Sequence, residues 1–416
     1  MNKNAHYFLI FPWIIYFFVI FLFRVKYVDF NLFAIYPIII SILLSIIFYF
    51  IGLNIGQIQF KKSHIVNEHI ISNNEPKYIR LIIFLALLGS TGSIYFDLID
   101  LRSNTLFQDL TSQNSPLFYS LRISNNYTAE LTGSYLKFFF KLLFPICFFF
   151  YIYNFTHKYK FYQYSIILLS LISCLITGGR FYFLYFFLIF VISRKNFDNK
   201  FQLINFKNII FFFILFYILI SSFSLRSFET YDILYSYKEN LGIESILFED
   251  SSFGHFENIK NNFLSFIIYS THSLYFYYIH YVTFEFQQYS NGGYTFNLLY
   301  RIINTIFNTE FSTITNYFMT DPTIGRYSTF ARDLIADFGL LGLYILYSFY
   351  AFVFGIANSL KRKYSSFKIL YYWLALFFIL SPHLNIISSG FINLMFLYSV
   401  IFLFLEVNRD AKYNKS

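Results

Sequence analysis

Apolar runs of roughly 20 residues recur along the whole chain and are separated by short polar segments. An α-helix rises about 1.5 Å per residue, so about 20 apolar residues cross a hydrocarbon core of about 30 Å. The pattern therefore predicts an all-α polytopic membrane protein. We interpret the runs as about ten transmembrane helices, at residues 7–23, 33–52, 81–98, 135–154, 163–177, 181–193, 208–224, 334–358, 369–386 and 390–406.

The lysines and arginines indicate which side of the membrane each loop occupies. If the N-terminus is cytoplasmic, most of the 31 Lys and Arg residues fall in the two tails and in four inner loops. Loops rich in Lys and Arg remain in the cytoplasm. The distribution therefore predicts that both termini are cytoplasmic. The predicted inner loops are residues 53–80, 155–162, 194–207 and 359–368.

Two predicted outer segments are long, residues 99–134 and residues 225–333. The middle of the second reads "NNFLSFIIYSTHSLYFYYIHYVTFEF" and contains two histidines and a glutamate. Ionisable groups are costly in hydrocarbon, so we expect amphipathic or re-entrant helices there. We divide the chain accordingly into three parts. Residues 1–224 contain transmembrane helices 1–7 and the outer loop 99–134, and residues 225–333 form one large outer loop. Residues 334–416 contain transmembrane helices 8–10 and a cytoplasmic tail.

Composition narrows the class of protein further. Hydrophobic residues make up 57% of the chain and charged residues only 13%. The two cysteines, Cys147 and Cys174, lie in apolar runs and form no metal-binding motif, so we expect neither a disulfide framework nor a metal site. Cations beside membrane spans explain the net charge of +9 without a nucleic-acid partner. The first apolar run has no small-residue cleavage site and is interpreted as a retained span.

One arginine, Arg180 in "LITGGRFYFL", lies between two predicted spans that are short. Between Lys160 and Arg194 the chain must cross the membrane twice, which leaves roughly 15 residues or 22 Å per helix against a core of about 30 Å. Arg180 is therefore either an interfacial anchor that extends to water or a guanidinium that lines a recessed outer cavity. The shortness of the hairpin favours the recessed position.

Further cations lie on the predicted outer side or near it: Arg226, Arg326, Arg332 and Lys141. Each taken alone is explained as a membrane-edge anchor or, for Lys141, as a lysine whose amine reaches the interface. Guanidinium, however, binds phosphate bidentately and keeps its charge. Together with Arg180 these cations predict a site for an anionic phosphate or pyrophosphate ligand. A pyrophosphate linked to a membrane lipid fits this position.

Three further side chains are candidates for proton transfer. His280 and Glu285 lie in the large outer segment, and Asp337 follows Asp333 by four residues on one helix face. An acidic residue in a first turn is stabilised by the helix dipole, which explains Asp333 better than the deeper Asp337. A histidine or a tuned carboxylate can accept a proton near neutral pH. A structural role for His280 remains an alternative.

Three stretches resemble a known family: "ITGGR", "YYIHYVTFEFQQYSNGGYTFNLLYRIINTIF" and "PTIGRYSTFARDLIADFGLLGLYILYSFYAFVFG". In these motifs, and in the order of spans and loops, the chain resembles the Wzy-type O-antigen or oligosaccharide repeat-unit polymerases. The resemblance extends over the whole chain in layout and is sharpest at residues 177–180 and 322–355. The "DFG" followed by a further glycine, where the chain returns to a span, is its most specific part.

The resemblance implies a metal-independent glycosyltransferase, without a cofactor, in the bacterial cytoplasmic membrane. It would transfer a glycan from undecaprenyl pyrophosphate to an undecaprenyl-pyrophosphate-linked repeat unit at the outer face. A chain-length-regulating protein is a candidate partner besides the lipid bilayer. The family pattern maps onto Arg180, Arg226 and either Arg326 or Arg332. Two alternatives remain open, an O-antigen ligase-like glycosyltransferase and a flippase or other transporter of lipid-linked oligosaccharides.

Overall fold

The fold is described from a computed structural model of the chain, in which most described residues are helical. The residues described are 3–63, 79–103, 135–152, 159–176, 185, 188–189, 192–193, 242–249, 251–252, 254, 257–283, 289–311, 329–361, 364–383, 394 and 397–401. The predicted span 208–224 lies outside them, and the predicted spans 181–193 and 390–406 lie mostly outside them.

Eleven α-helices, three short 3-10 helices and two short strands make up the described elements. The α-helices are α1 (Tyr7–Leu22), α2 (Tyr36–Ser63), α3 (Ile79–Ser103), α4 (Tyr135–Leu143), α5 (Phe148–Ile152), α6 (Lys160–Ile176), α7 (Glu257–Thr271), α8 (Ser273–Thr283), α9 (Asn297–Phe307), α10 (Phe330–Leu360) and α11 (Ser365–Leu380). The 3-10 helices are Lys3–His6, Leu32–Ile35 and Phe144–Cys147. The strands are β1 (Lys26–Tyr27) and β2 (Ile243–Ser245), paired antiparallel.

Three of these helical stretches are long and apolar enough to cross a membrane: Leu32–Ile58, Arg80–Ile99 and Phe330–Leu360. Three shorter apolar helices are Tyr7–Leu22, Phe139–Ile152 and Ser366–Leu380. All six coincide with predicted spans. The predominance of helix and the presence of helices long and apolar enough to cross a membrane are thereby confirmed, whereas the number of ten spans and the orientation of the loops stay predictions.

The chain forms two compact units, residues 69–228 and the remainder, which comprises residues 1–68 and 229–416. In the larger unit the closest helix pair is α2 with α10. A Cβ on Gly52 would lie 2.1 Å from the carbonyl oxygen of Phe352, and one on Gly355 would lie 2.2 Å from that of Tyr49. Small residues are thus required for this backbone approach, as in other membrane helix pairs.

In the smaller unit, α3 packs against α4, α6 and the 3-10 turn Phe144–Cys147. Gly89 and Gly92 of α3 face Leu143 and Phe140, with no room for a side chain. Residues 135–152 of the predicted span 135–154 form one helical path that tightens into a 3-10 turn at Pro145, where the missing N–H weakens the regular α-helical ladder.

The apolar middle of the large predicted outer loop folds into α7 and α8, which meet at the buried His272. The break leaves backbone groups without helical partners, and two tyrosines bind them. The Tyr16 hydroxyl donates to the carbonyl of Thr271 at 2.7 Å and accepts from the N–H of Leu274 at 3.1 Å. Tyr27 donates to the same carbonyl at 2.9 Å. Buried backbone groups are thereby satisfied at the interruption.

Candidate functional site at a broken helix

Helix α10, which carries the stretch of sharpest family resemblance, is broken at Gly339. Gly339 has φ 69° and ψ −170°, outside the helical region, and a Cβ there would lie 2.8 Å from the Tyr289 hydroxyl. The break divides α10 into a short first segment, Phe330–Phe338, and a long second segment, Leu340–Leu360. The second segment alone is about 31 Å long, which is enough to cross a bilayer core.

The loop that precedes α9 binds the backbone exposed by this break. The N–H of Ser290 donates to the carbonyl of Ala336 at 3.0 Å, and the N–H of Asn291 donates to the carbonyl of Asp337 at 3.1 Å. These carbonyls would bond residues four positions later in an unbroken helix. Irregular backbone is tolerated at a membrane only where such groups find protein partners, and the loop supplies them here.

The carboxylate of Asp337 fixes the same loop and is fully buried. Its Oδ1 accepts the N–H of Tyr294 at 2.9 Å and the hydroxyl of Ser290, and its Oδ2 accepts the N–H of Thr295 at 2.7 Å. Charge-assisted hydrogen bonds of this kind are about twice as strong as neutral ones. Asp337 therefore joins the loop to the broken helix, a positioning role that the sequence does not reveal.

The loop itself turns through the sequence "SNGGYT", residues 290–295. Asn291 and Gly292 both have positive φ, 50° and 96°, a conformation that Asn and Gly adopt most readily. The hydroxyl of Tyr300 donates to the carbonyl of Asn291 at 2.6 Å and holds the turn against the start of α9. Burial, and secondarily the charge of Asp337, raise the pKa of Tyr300.

Arg332 lies one turn before Asp337 and pairs with its neighbour Asp333. Its Nε and Nη2 both donate to Asp333 Oδ1, at 2.8 and 2.6 Å, and both residues are buried. The guanidinium also lies over the ring of Tyr294, 5.4 Å from its centre. Asp333 therefore compensates the charge of the buried Arg332 guanidinium.

The two remaining described candidates belong to other helices, α8 and α4. His280 is buried in α8, which packs against α10. Lys141 belongs to the smaller unit, where its amine lies 3.1 Å from the buried carboxylate of Asp97 on α3. Ser93 donates a further hydrogen bond to Asp97 at 3.3 Å. An acid within an apolar helix requires such a partner, so Lys141 has a structural explanation in the neutralisation of Asp97.

Four predicted site residues lie outside the described part of the chain: Arg180, Arg226, Glu285 and Arg326. Their assignments stay predictions. Within the described residues, no group of three or more His, Cys, Asp or Glu side chains is arranged to hold a metal ion.

Sequence reasoning missed Ser290, Tyr294 and Asp97, the partners of the residues it identified. A signal exists in the sequence for one of them. Asp97 is the one acidic residue within the predicted span 81–98, and an acid in an apolar run requires a cation. Comparison of the chain with family models, with curated proteins and with solved structures gave no match.

Proposed function

We propose that this protein is a membrane glycosyltransferase that polymerises lipid-linked oligosaccharide repeat units. The observation that carries the proposal is the broken helix α10. The break falls within the "DFG" stretch on which the family resemblance is sharpest, and Asp337 of that stretch binds the loop before α9. A motif whose residues build a defined backbone interruption is stronger support than a motif alone.

The position of the break favours an enzyme over a transporter. Transporters bind substrate at interrupted helices near the bilayer midplane. In α10 the interruption follows the short first segment, and the complete second segment, Leu340–Leu360, is long enough to cross the core by itself. The interruption therefore belongs at an edge of the hydrocarbon, where a lipid pyrophosphate headgroup resides.

The proposed chemistry is glycosyl transfer with a pyrophosphate leaving group. The hydroxyl oxygen of the acceptor repeat unit attacks the anomeric carbon of the donor, and the bond from that carbon to the pyrophosphate oxygen breaks. The hydroxyl proton passes to a base, and undecaprenyl pyrophosphate leaves with the bonding electrons. Arginines stabilise the developing phosphate charge, because fixed positive groups require no reorganisation during the reaction.

The contacts divide the candidate residues into two groups under this proposal. Arg332 and Lys141 have carboxylate partners, and Asp337 has three donors, so we assign all three to positioning. Phosphate binding then falls to the arginines outside the described residues, Arg180, Arg226 and Arg326. Proton acceptance from the acceptor hydroxyl falls to Glu285 or His280.

Substitution of Arg180 tests the proposal in cells. We expect Arg180→Ala and Arg180→Lys both to abolish long-chain surface polysaccharide while the protein inserts normally, because lysine cannot bind phosphate bidentately. The matched control is Arg24→Ala, which removes an exposed arginine on a predicted outer loop. Polysaccharide length is read from a gel. Wild-type chain lengths in Arg180→Ala would contradict the assignment of Arg180 to phosphate binding. Full function in Arg180→Lys would indicate that Arg180 only anchors the chain at the membrane interface.

A further inference from the structure

Helix α9, "NLLYRIINTIF", is amphipathic, and two residues of its apolar side, Leu299 and Phe307, are exposed. At 100° per residue, Leu299, Ile302 and Ile303 fall on one arc and Asn304 on the opposite arc. Leu299 is 45% exposed and Phe307 is 70% exposed. Among the described helices none makes an extended contact with α9. An apolar helix face of this kind requires a nonaqueous partner.

The start of α9 is fixed next to the break in α10. The N–H of Phe296 donates to the carbonyl of Gly292 at 2.8 Å, and the N–H of Tyr300 donates to that of Phe296 at 2.9 Å. The ring of Phe296 lies 6.4 Å from the ring of Phe338, the residue before Gly339. Together with the bonds to Asp337, these contacts place the first turn of α9 at the level of the break.

That level is one boundary of the hydrocarbon core. The second segment of α10 spans the core, and its lipid-accessible side begins immediately after the break, with Leu341 73% exposed and Ile345 64% exposed. At the opposite end the segment is followed by the basic cluster 361–363, typical of the cytoplasmic edge. The break, and with it the start of α9, thus lies at the edge opposite this cluster.

The far end of α9 is closed by side-chain hydrogen bonds. The amide oxygen of Asn304 accepts the Thr309 hydroxyl and the N–H of Phe311, both at 2.9 Å, and its nitrogen donates to the Phe311 carbonyl at 2.8 Å. Phe311 is exposed and stacks on Tyr300 at 5.1 Å. The turn therefore adds an aromatic ring to the exposed surface of α9, and aromatic rings are favoured at the membrane interface.

We infer that α9 is an interfacial helix, whose apolar side inserts into the lipid at the boundary opposite residues 361–363. Helices with a clear division of polar and apolar sides lie in this zone, with the apolar side about 5–10 Å below the headgroups. The partner is the bilayer itself. The inference does not depend on the proposed reaction, because it rests on exposure, on the length of the second segment of α10, and on the contacts at the break.

Depth-dependent fluorescence quenching tests this inference on the full chain in lipid nanodiscs. Single cysteines replace Leu299 or Phe307 in a background without native cysteines and carry an environment-sensitive dye. Cysteines at the exposed Phe349, about 14 Å beyond the break along α10, and at the exposed Glu310 serve as controls for the core and for water. We expect a spin label near the headgroup to quench the α9 dyes more than a spin label at the acyl-chain end, with the reverse order at Phe349.

Two outcomes would overturn the inference. If an aqueous quencher affects the α9 dyes as strongly as the dye at Glu310, the apolar side faces water. If neither lipid nor aqueous quenchers reach them, the side is covered by protein, whether a second copy or another chain. A second measurement keeps the native cysteines. A photoreactive phenylalanine analogue at Phe307 should form lipid adducts, as the same analogue should at the exposed Phe349 of α10, and protein-only adducts at Phe307 would contradict the inference.

Discussion

Replacement of Asp337 by alanine should detach the loop 289–296 from α10. The substitution removes the acceptor of two buried N–H groups, those of Tyr294 and Thr295. The hydroxyl of Ser290 retains a weaker partner in the carbonyl of Ala336, 3.4 Å away. A buried donor without a partner costs about 1–3 kcal/mol, so the two N–H groups together destabilise the bound position of the loop by about 2–6 kcal/mol. The free energy needed to release the loop sets the upper limit of this effect.

Hydrogen exchange of the full chain in nanodiscs measures this effect at the affected amides. Since about 1.4 kcal/mol corresponds to a factor of ten, the Tyr294 and Thr295 amides should exchange roughly tenfold or more faster in Asp337→Ala. Asp337→Asn keeps the shape and one acceptor oxygen but turns an NH₂ group toward the N–H of Thr295. We therefore expect a smaller loss of exchange protection than in Asp337→Ala, concentrated at the Thr295 amide. The matched control is Glu310→Gln, an exposed carboxylate near α9.

Unchanged exchange at Tyr294 and Thr295 in Asp337→Ala would refute the positioning role. Polymerisation activity distinguishes a positioning role of Asp337 from a role as proton acceptor. If Asp337 acts through the loop, the variants that lose more exchange protection should also lose more polymerisation. If Asp337 is instead the proton acceptor, Asp337→Asn should abolish polymerisation although the loop loses only part of its exchange protection.

Three further predictions concern pairs that the structure brings together. Arg332→Met should lower the free energy of unfolding by about 3–5 kcal/mol, since it removes one member of a buried ion pair. Lys141→Met should destabilise the smaller unit, and Asp97→Asn added to it should restore much of the loss, because the neutral amide needs no cation. Gly355→Leu should cost at least about 2 kcal/mol by forcing α2 and α10 apart. Thermal unfolding in detergent measures all three.

Controls separate these effects from general damage to the membrane domain. Ile345→Leu changes an exposed position on the same helix as Gly355 and should leave the melting temperature unaltered. Arg332→Met combined with Asp333→Leu should recover stability relative to Arg332→Met alone, because neither charge of this pair remains buried. Equal stability of Gly355→Leu and Ile345→Leu would contradict the close approach of α2 and α10. A double variant no more stable than Arg332→Met would contradict the ion pair.

The apolar runs of the sequence predicted the three long apolar helices of the structure. The predicted spans 81–98 and 334–358 lie within the observed α3 and α10, and the span 33–52 lies within the 3-10 helix Leu32–Ile35 and the α2 that follows it. Helices longer than their apolar runs are expected, since polar residues extend a helix beyond the hydrocarbon without altering its hydropathy. The strands β1 and β2 were not predicted, because two and three residues carry too little pattern and their pairing joins positions far apart in the chain.

The break at Gly339 escaped the sequence analysis for a physical reason. Gly339 and Gly342 occur in an unbroken apolar run, and small residues there indicate close packing as readily as a positive φ. The deciding information is the loop 289–296, whose N–H groups stabilise the interrupted backbone. Such a partner lies more than 40 residues away and leaves no periodic signal.

The ionisable residues show the same limit of prediction from sequence. Arg332, Lys141 and Asp337 were identified because charge is unexpected near a membrane, and each proves to have a specific partner. Sequence alone locates such residues but does not distinguish a ligand-binding charge from one that neutralises a neighbour. The distinction depends on which side chains the fold brings within hydrogen-bonding distance.

Reconstitution tests the central proposal most directly. Purified protein in proteoliposomes receives a synthetic undecaprenyl-pyrophosphate-linked repeat unit as the sole substrate, and products are separated by length. The account predicts a ladder of lipid-linked oligomers that disappears with Arg180→Ala and persists with Arg24→Ala. A product that forms only when a different acceptor is added would favour a ligase. Transbilayer movement of the repeat unit without any ladder would contradict the account and favour a flippase.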